Sequence, residues 1–304
     1  MNDKKIIDVV LDTDAYNEID DQFAVSFLLR SSDRLNTRAI YAAPFFNERS
    51  EGPKDGMEKS YQEILKLLKL LKCEEMSQNV FRGSERYLPD EKTPVVSPAA
   101  IDLAERAMQY SAENPLTVAA IGAITNVASA ILLKPEITER IKVVWLGGNS
   151  RSFPDTREFN MFQDIAAARV VMRETDFVQL PCNGVVSEFR ISGPELEFWL
   201  CGKNSLADYL AGNVIREAES YASGTAWTRV IWDVTAVAWL LNDDDRYMKA
   251  KILPALLPDY TGHYETEPLK KTITYVYRIH RDRLMTDLLR SIARDGFLPS
   301  KCGS

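Results

Sequence analysis

The chain has 304 residues, an apolar content of 45% and a formal net charge of −7 with an isoelectric point near 5.2. This acidic balance argues against nucleic acid as a partner, because binding to the phosphate backbone depends on clustered Lys and Arg. No run of about 18 apolar residues occurs, so we predict no membrane span. Four dispersed cysteines without a CxxC pair, and an N-terminus without signal-peptide features, lead us to expect a reduced, cytoplasmic protein.

The first apolar run, residues 6–11, is rich in β-branched side chains and predicts a buried parallel strand. Apolar residues with helical spacing follow at 23–28. Between these two segments the chain places five acidic residues within ten positions, namely Asp12, Asp14, Glu18, Asp20 and Asp21. Ligands of open α/β sheets bind outside the carboxyl ends of the strands, so we expect this acidic stretch to lie at the site of chemistry.

Carboxylates crowded in this way repel one another unless a cation neutralises them. A set of oxygen ligands favours calcium or magnesium over a metal that prefers thiolates. The alternative is that Asp20 or Asp21 only caps the following helix. One cap needs one side chain and leaves Asp12 and Asp14 unexplained, so we favour a metal site.

Strands and helices alternate after this stretch. Predicted strands cover residues 37–43, 116–121, 142–146 and 176–180, and predicted helices cover 57–72, 99–111, a segment from 127, and 164–173. Residues 74–98 are polar and contain proline, and we interpret them as a connecting region. The order predicts an α/β fold with a mostly parallel sheet and helices on both faces. No repeat or linker divides the chain, so we expect one domain over residues 1–304.

The C-terminal portion, from Pro194 onward, is mainly helical, with predicted helices at 195–201, 206–220 and 233–241 and a late strand at 271–279. Asp233 stands where a helix meets a loop, next to Trp232 and near Trp227. The residues alone favour a helix cap beside core aromatic side chains. Thr125 and Asn126, after the strand at 116–121, are also interpreted as caps, although a backbone carbonyl there could bind a hard cation.

In chain order, the motifs resemble the inosine-uridine-preferring nucleoside hydrolase family. They are Asp12-Thr13-Asp14 after a strand, Asp20-Asp21, Gly122-Ala123-Ile124-Thr125-Asn126, Glu158-Phe159-Asn160 and Trp232-Asp233. The resemblance runs over nearly the whole chain and implies a Rossmann-like sheet that holds Ca²⁺ at its carboxyl edge. It also implies hydrolysis of the N-glycosidic bond of a ribonucleoside or related N-riboside.

The resemblance assigns roles by motif position. The calcium ligands would be Asp14, Asp21, the carbonyl of Thr125, and Asp233, with Asp14 also the base for the attacking water. The ribose hydroxyls would be held by Asp20, Asn47, Glu158 and Asn160, and Asp233 would also contact the substrate. Trp232 and Trp227 would be the candidates for stacking on the departing base and favouring its protonation, ahead of Tyr221 and Arg229. We further expect a homo-oligomer, either a dimer or a tetramer.

Three departures from the family pattern affect the expected substrate. The opening turn, residues 15–19, is two residues longer than the family's usual Pro-Gly turn. Trp232 stands where many members carry a histidine, and neither His263 nor His280 is in a matching position. The segment that ends at Asn47 lacks the glycine that usually precedes this asparagine. The metal and ribose groups are retained, whereas base specificity is left open.

Two alternatives to hydrolysis follow from the same residues. The missing histidine suggests a calcium-bearing ribosyl-binding protein that lacks turnover. Asp12-Thr13-Asp14 after a strand also resembles the nucleophile motif of haloacid-dehalogenase-type phosphatases. That class would leave Thr125, Glu158, Asn160 and Asp233 without a role, so we place it last.

Overall fold

A computed structural model describes residues 5–294, so Cys302 lies outside the described residues. The strands are β1 (Ile7–Thr13), β2 (Leu35–Ala42), β3 (Val80–Arg82), β4 (Leu116–Ala120), β5 (Ile141–Leu146), β6 (Asp176–Leu180), β7 (Arg190–Ser192), β8 (Thr228–Val230), β9 (Met248–Pro254) and β10 (Thr272–Ile279). The helices are α1 (Asp20–Arg30), α2 (Pro53–Leu71), α3 (Pro98–Ala107), α4 (Thr125–Leu133), α5 (Phe159–Gln163), α6 (Ile165–Glu174), α7 (Gly193–Trp199), α8 (Ser205–Ala222), α9 (Val234–Leu240) and α10 (Arg281–Ala293).

Eight strands form the central sheet in the order β3-β2-β1-β4-β5-β6-β10-β9, and β7 pairs with β8 in a separate two-stranded ribbon. Neighbouring strands of the central sheet are parallel except for β9, which runs antiparallel to β10. The predicted mostly parallel α/β sheet is therefore confirmed. The strand order reverses between β1 and β4, and ligands of open α/β sheets bind at such a switch point.

Both faces of the sheet are covered because the strands are apolar on both sides. In β1, Val9 and Leu11 belong to one buried cluster and Val10 belongs to the other. The first cluster includes side chains of α1, α2, α8, α9 and α10, and the second includes side chains of α3, α4 and α6. Burial of apolar surface stabilises such cores by about 25 cal/mol per Å². The two cores therefore hold the carboxyl ends of β1, β4, β5 and β6 in fixed positions along one edge of the sheet.

Several short or edge elements differ from the predictions. Residues 74–98 contain β3, which is three residues long and pairs only with β2. Between the predicted strand at 142–146 and the predicted helix at 164–173, the structure adds the short helix α5, with Glu158 as its N-cap. In the C-terminal portion the late strand is confirmed as β10, whereas β9 and α10 were not predicted. Both β3 and β9 lie at edges of the sheet, where a strand has one partner and lacks the fully apolar pattern of a central strand.

Transmembrane crossing needs a helix that is both long and apolar. Within residues 5–294, no helix combines these two properties.

Candidate active site

A cavity of about 220 Å³ opens at the carboxyl edge of the sheet. Asp14 follows β1, Ile121 follows β4, Leu146 ends β5 and Cys182 follows β6, and all four line this cavity. Seven of the predicted site residues also line it, namely Asp14, Asp20, Asp21, Glu158, Asn160, Trp232 and Asp233. The fold thus brings together residues that are more than 200 positions apart in the sequence.

Four buried aspartates crowd one side of the cavity. Carboxylate oxygens of Asp20, Asp21 and Asp233 lie within 4.8 Å of one another. Both oxygens of Asp14 and Oδ1 of Asp20 are buried and have no hydrogen-bond partner among the described residues. Gly122 is required here, because a Cβ at this position would lie 2.7 Å from Oδ1 of Asp14. Buried polar atoms normally have partners, so these oxygens indicate that a further group binds there.

Burial is the main reason why the pKa values of these carboxyl groups are raised. Burial, reinforced by the charge of Asp21, raises the pKa of Asp14 well above its ordinary value. Burial and then the charge of Asp20 do the same for the pKa values of Asp21 and Asp233. Such a cluster is stabilised by protons or by a cation, and a donor set of carboxylate oxygens suits a hard divalent ion.

Cys182 is the cysteine that lines this cavity. Burial raises the pKa of its thiol well above the ordinary value, and the charge of Glu158 adds to the effect. The thiol is therefore neutral near pH 7, and it does not supply the thiolate that a softer metal would select.

Neither Asp20 nor Asp21 caps α1. The N-cap of α1 is Ile19, and no side chain makes a capping hydrogen bond there. Oδ2 of Asp20 instead accepts a hydrogen bond of 2.9 Å from the backbone N–H of Trp232, and Asp21 accepts one from the hydroxyl of Thr13. The N-cap of α9 is Asp233, but its side chain makes no capping hydrogen bond. The interpretation of these aspartates as helix caps is wrong, since their carboxylates point to one another.

The cap interpretation is also wrong for Thr125 and Asn126. The N-cap of α4 is Ile124, and no side chain caps this helix. The Thr125 hydroxyl donates to Oδ2 of Asp164 at 2.6 Å, and Nδ2 of Asn126 donates to Oδ1 of Asp12 at 2.7 Å. Neither Asp12 nor Thr125 lines the cavity. Asp12, which ends β1 together with Thr13, thus belongs to a buried network beneath the site.

Backbone groups orient Glu158 and Asn160. The Glu158 carboxylate accepts hydrogen bonds from the N–H groups of Gly148, Asn160 and Met161 at 2.7, 2.8 and 3.1 Å. Nδ2 of Asn160 donates to the carbonyls of Ile121 and Leu146, both at 3.0 Å. Because both amide hydrogens of Asn160 are used, its Oδ1 remains as an acceptor for a ligand.

Three further predicted residues do not line the cavity. Asn47 is half-buried and bonds to Asn17, which does line it. Trp227 packs on Gly193, where a Cβ would lie 2.9 Å from its ring. Thr125 contacts Asp164, as described above. The only two histidines of the chain, His263 and His280, are also absent from the cavity lining.

Sequence reasoning missed other residues of the cavity wall, above all Asn17, Arg157 and Asn183. Glu18 was noted only as part of the acidic stretch. Its carboxylate pairs with Arg229 at 2.9 Å, and burial together with repulsion from Asp20 raises its pKa to about 7 despite the opposing charge of Arg229. Asn17 and Glu18 lie in the lengthened turn, so the added length was itself a signal that could have identified them.

Comparisons with known proteins identify the family of this chain. The family model described as "Inosine-uridine preferring nucleoside hydrolase" matches residues 9–287. The chain is 32% identical over 96 residues to the inosine-uridine preferring nucleoside hydrolase of Leishmania major, a segment of 31% of each chain. It is 29% identical over 168 residues to the non-specific ribonucleoside hydrolase RihC of Salmonella paratyphi B, or 53% of each chain. The matched segments thus span about a third and about half of these relatives.

Solved structures match over a larger share. A plant nucleoside hydrolase superposes with a TM-score of 0.74 at 17% identity, covering 95% of this chain and 99% of the other. The purine-preferring ribonucleoside hydrolase from Gardnerella vaginalis gives 0.73 at 19% identity, with coverage of 94% and 98%. At these identities the likeness establishes the fold.

Proposed function

Because this chain belongs to the inosine-uridine-preferring nucleoside hydrolase family, we propose that it hydrolyses the N-glycosidic bond of a ribonucleoside or related N-riboside in a calcium-dependent reaction. The observation that carries the proposal is the group of buried carboxylates at the switch point of the sheet, with unpartnered oxygens on Asp14 and Asp20. Glu158 and Asn160 face the same cavity and offer acceptors for hydroxyl groups.

The residues present fit a calcium ion. Asp14, Asp21 and Asp233 would hold it, together with the backbone carbonyl of Thr125. The unpartnered oxygens of Asp14 and the close approach of Asp21 to Asp233 support the three aspartates of this set, whereas Thr125 is included by motif position alone. When bound, the ion supplies positive charge that orients water and lowers its pKa.

The chain's own side chains would then supply base catalysis and sugar binding. Asp14 accepts the proton of the attacking water, since it combines a buried position with two oxygens that no donor within residues 5–294 uses. Asp20, Glu158 and Asn160 hold the ribose hydroxyls, and their negative or partly negative oxygens stabilise the positive character of an oxocarbenium-like transition state. By motif position Asn47 belongs to the same group, although it does not line the cavity and instead donates a hydrogen bond to Asn17, which does.

Leaving-group activation falls to Trp232, which lines the cavity where no histidine does. An indole face that stacks on the base favours the protonated, departing form of the base through a cation–π interaction. Trp227 is the weaker candidate because it packs on Gly193 outside the cavity.

The absence of both histidines from the cavity wall favours one second candidate, a calcium-bearing ribosyl-binding protein without turnover. The two candidates are distinguished by measuring base release and binding over the same nucleoside panel with calcium saturating. Base release that Asp14→Asn abolishes supports hydrolysis. Binding without release, by a protein that contains calcium, would refute hydrolysis and favour the binding protein. A phosphatase of the haloacid-dehalogenase type is inconsistent with the family match over residues 9–287.

We propose a cytoplasmic homo-oligomer, a dimer or a tetramer, that does not bind nucleic acid. Light scattering of the purified protein distinguishes these states from a monomer, and a mobility-shift assay tests nucleic-acid binding.

A further inference from the structure

We propose that Asn17, in the lengthened opening turn, donates a hydrogen bond to a sugar hydroxyl of the bound riboside, and that Asn47 is a positioning residue that orients Asn17. This inference rests on the proposed function and adds a substrate contact to it. Asn17 is 5% exposed and lines the cavity, whereas Asn47 does not line it.

A chain of hydrogen bonds determines which end of the Asn17 amide faces the cavity. The backbone N–H of Arg49 donates to Oδ1 of Asn47 at 2.9 Å, so the other end of the Asn47 amide must be its NH₂ group. Nδ2 of Asn47 donates to Oδ1 of Asn17 at 2.7 Å. The backbone thus fixes the orientation of the Asn47 amide, and Asn47 in turn fixes the orientation of the Asn17 amide. Asn17 therefore presents Nδ2 to the cavity as a donor.

No acceptor among the described residues uses this donor. Within that part of the chain, the Asn17 side chain makes its one hydrogen bond through Oδ1, and Nδ2 is not among the buried atoms that lack a partner. Nδ2 is therefore accessible from the cavity. The backbone N–H of Asn17 donates to the carbonyl of Asp14 at 2.7 Å, which holds the residue beside the proposed base.

A sugar hydroxyl is the group that this donor complements. The other proposed sugar contacts, Asp20, Glu158 and Oδ1 of Asn160, are all acceptors. A hydroxyl that donates its hydrogen to one of them still has lone pairs that need a donor. Asn17 supplies that donor close to Asp14, where the reacting end of the sugar must lie.

The test uses Asn17→Ala, Asn47→Asp and the double variant. In Asn47→Asp, one oxygen of the new carboxylate still accepts from the N–H of Arg49, while the other lies against Oδ1 of Asn17. The Asn17 amide then reverses, so that its NH₂ group donates to this carboxylate and its own oxygen faces the cavity. Asn36→Asp is the matched control, since Asn36 is exposed and its Nδ2 donates to the carboxylate of Asp8 at the amino end of β1 and β2.

We expect Asn17→Ala and Asn47→Asp each to lower kcat/KM for a ribonucleoside by about three- to tenfold, the effect of one hydrogen bond. The double variant should lose no more than Asn17→Ala alone, because Asn47 acts through Asn17. The loss should disappear with one of the two nucleosides that lack a single hydroxyl, the 2′-deoxy or the 3′-deoxy form, because that form lacks the contacted group. The loss should be the same for purine and pyrimidine bases. Asn36→Asp should match the wild type.

Two results would overturn the inference. Losses that multiply in the double variant would mean that Asn47 contacts the substrate independently, and losses that depend on the base would place the donor at the leaving group. If the wild type shows no hydrolysis, the proposed function fails. The nucleoside affinities of the wild type, the two single variants and the double variant then still test the Asn17 contact. Thermal unfolding of each variant ensures that a folding defect is not counted as a lost contact.

Discussion

The two edges of the central sheet each carry a cavity, but their charges are arranged in opposite ways. The amino edge has the larger cavity, about 970 Å³, with arginines and aspartates in its wall. There Arg34 pairs with Asp243 at 2.9 Å, and Arg246 pairs with Asp287 at 2.5 Å. At the carboxyl edge the cavity is about 220 Å³, and its buried aspartates lie beside one another. The position of buried like charges therefore identifies the candidate site, whereas cavity size does not.

The physical difference is one of burial. The side chains of Arg246 and Asp287 are 55% and 27% exposed, so water screens them and their pairing contributes at most about 1 kcal/mol. Asp14, Asp20 and Asp21 are each 1% exposed, and charges in such positions destabilise the fold unless a proton or cation compensates them. The carboxyl edge thus retains a destabilising cluster, as expected where function requires it.

The largest expected effect is on turnover, in Asp14→Asn. The amide is nearly the same size, but it cannot take a proton from water and is a poorer calcium ligand. We expect the rate of base release to fall by more than the roughly 10²–10⁴-fold that base catalysis alone contributes, because metal binding is weakened too. Steady-state kinetics with calcium saturating measure this. Near-normal hydrolysis by the folded variant would move the base to Glu18 or Asp20, which also line the cavity, or to Asp12, which lies beneath it.

Removal of calcium should abolish activity and make stability depend on pH. Burial raises the pKa values of Asp12 and Glu18 to about 7, and it raises those of Asp14, Asp21 and Asp233 well above their ordinary values. A carboxyl group whose pKa is raised on folding stabilises the fold when protonated, and that stability is lost as pH rises through the folded pKa. The calcium-free protein should therefore unfold at a lower temperature at pH 8 than at pH 6.

Calorimetry with and without chelator checks this prediction, after elemental analysis of dialysed protein. Calcium at 100 times its Kd adds about 2.7 kcal/mol to the free energy of unfolding, and it should reduce the pH dependence. An unfolding temperature that rises from pH 6 to pH 8 without calcium would contradict the assignment of these carboxylates.

Sugar binding should weaken by a smaller factor in Glu158→Ala and Asn160→Ala. Each variant loses an acceptor for a ribose hydroxyl, and hydrogen bonds to a charged group are worth more than neutral ones. We expect losses of about tenfold or more for both free ribose and nucleosides, with little dependence on the base. Isothermal titration measures these affinities.

Glu158 also caps α5, so its variant needs a matched control. Glu195 forms a capping box with Ser192 at the start of α7 and lies outside the cavity lining. Glu195→Ala therefore loses a helix cap without losing a sugar contact, and its ribose affinity should be unchanged. An effect of Glu158→Ala that is confined to purine or to pyrimidine nucleosides would refute the sugar contact.

Trp232→Phe should be milder than either of these changes. Phenylalanine retains an aromatic face, and an aromatic pair is worth only about 0.5–1.5 kcal/mol beyond its burial. We expect kcat to fall by less than about tenfold. The backbone N–H of residue 232 still reaches Asp20, so the acidic cluster should keep its geometry. A loss as large as that of Asp14→Asn would show that the indole has a role beyond stacking.

The sequence pattern around the first strand was enough to predict the position of Asp14 and Asp21. Asp14 and Asp21 follow a β-branched strand within ten residues, and the switch point of a parallel sheet places such residues at its carboxyl edge. Asp233 and Glu158 were assigned only through motif order, because nothing local distinguishes them from helix caps. The central strands were also predictable from local sequence, because strands that are buried on both faces form continuous apolar runs.

Contacts between distant segments could not be predicted in this way. Asn17 meets Asn47 across 30 positions, and Asp20 meets the backbone of Trp232 across 212 positions. Such pairs depend on how the turn after β1 packs against loops that come much later. The edge strand β9 was missed because it pairs only with β10 and carries an exposed, charged pattern.

The smallest effect is expected at the amino edge, in Arg246→Ala. This variant removes the ion pair with Asp287, but Tyr247 still donates to the same carboxylate oxygen at 2.8 Å. Asp287 therefore keeps a partner, and the free energy of unfolding should change by less than about 1 kcal/mol. Neither kcat nor KM should change, because the pair lies at the opposite edge of the sheet from Asp14. Denaturant unfolding and steady-state kinetics with the same nucleoside panel measure both quantities. A clear change in KM with stability unaltered would mean that the larger cavity communicates with the smaller one, and the contrast between the two edges would then have to be abandoned.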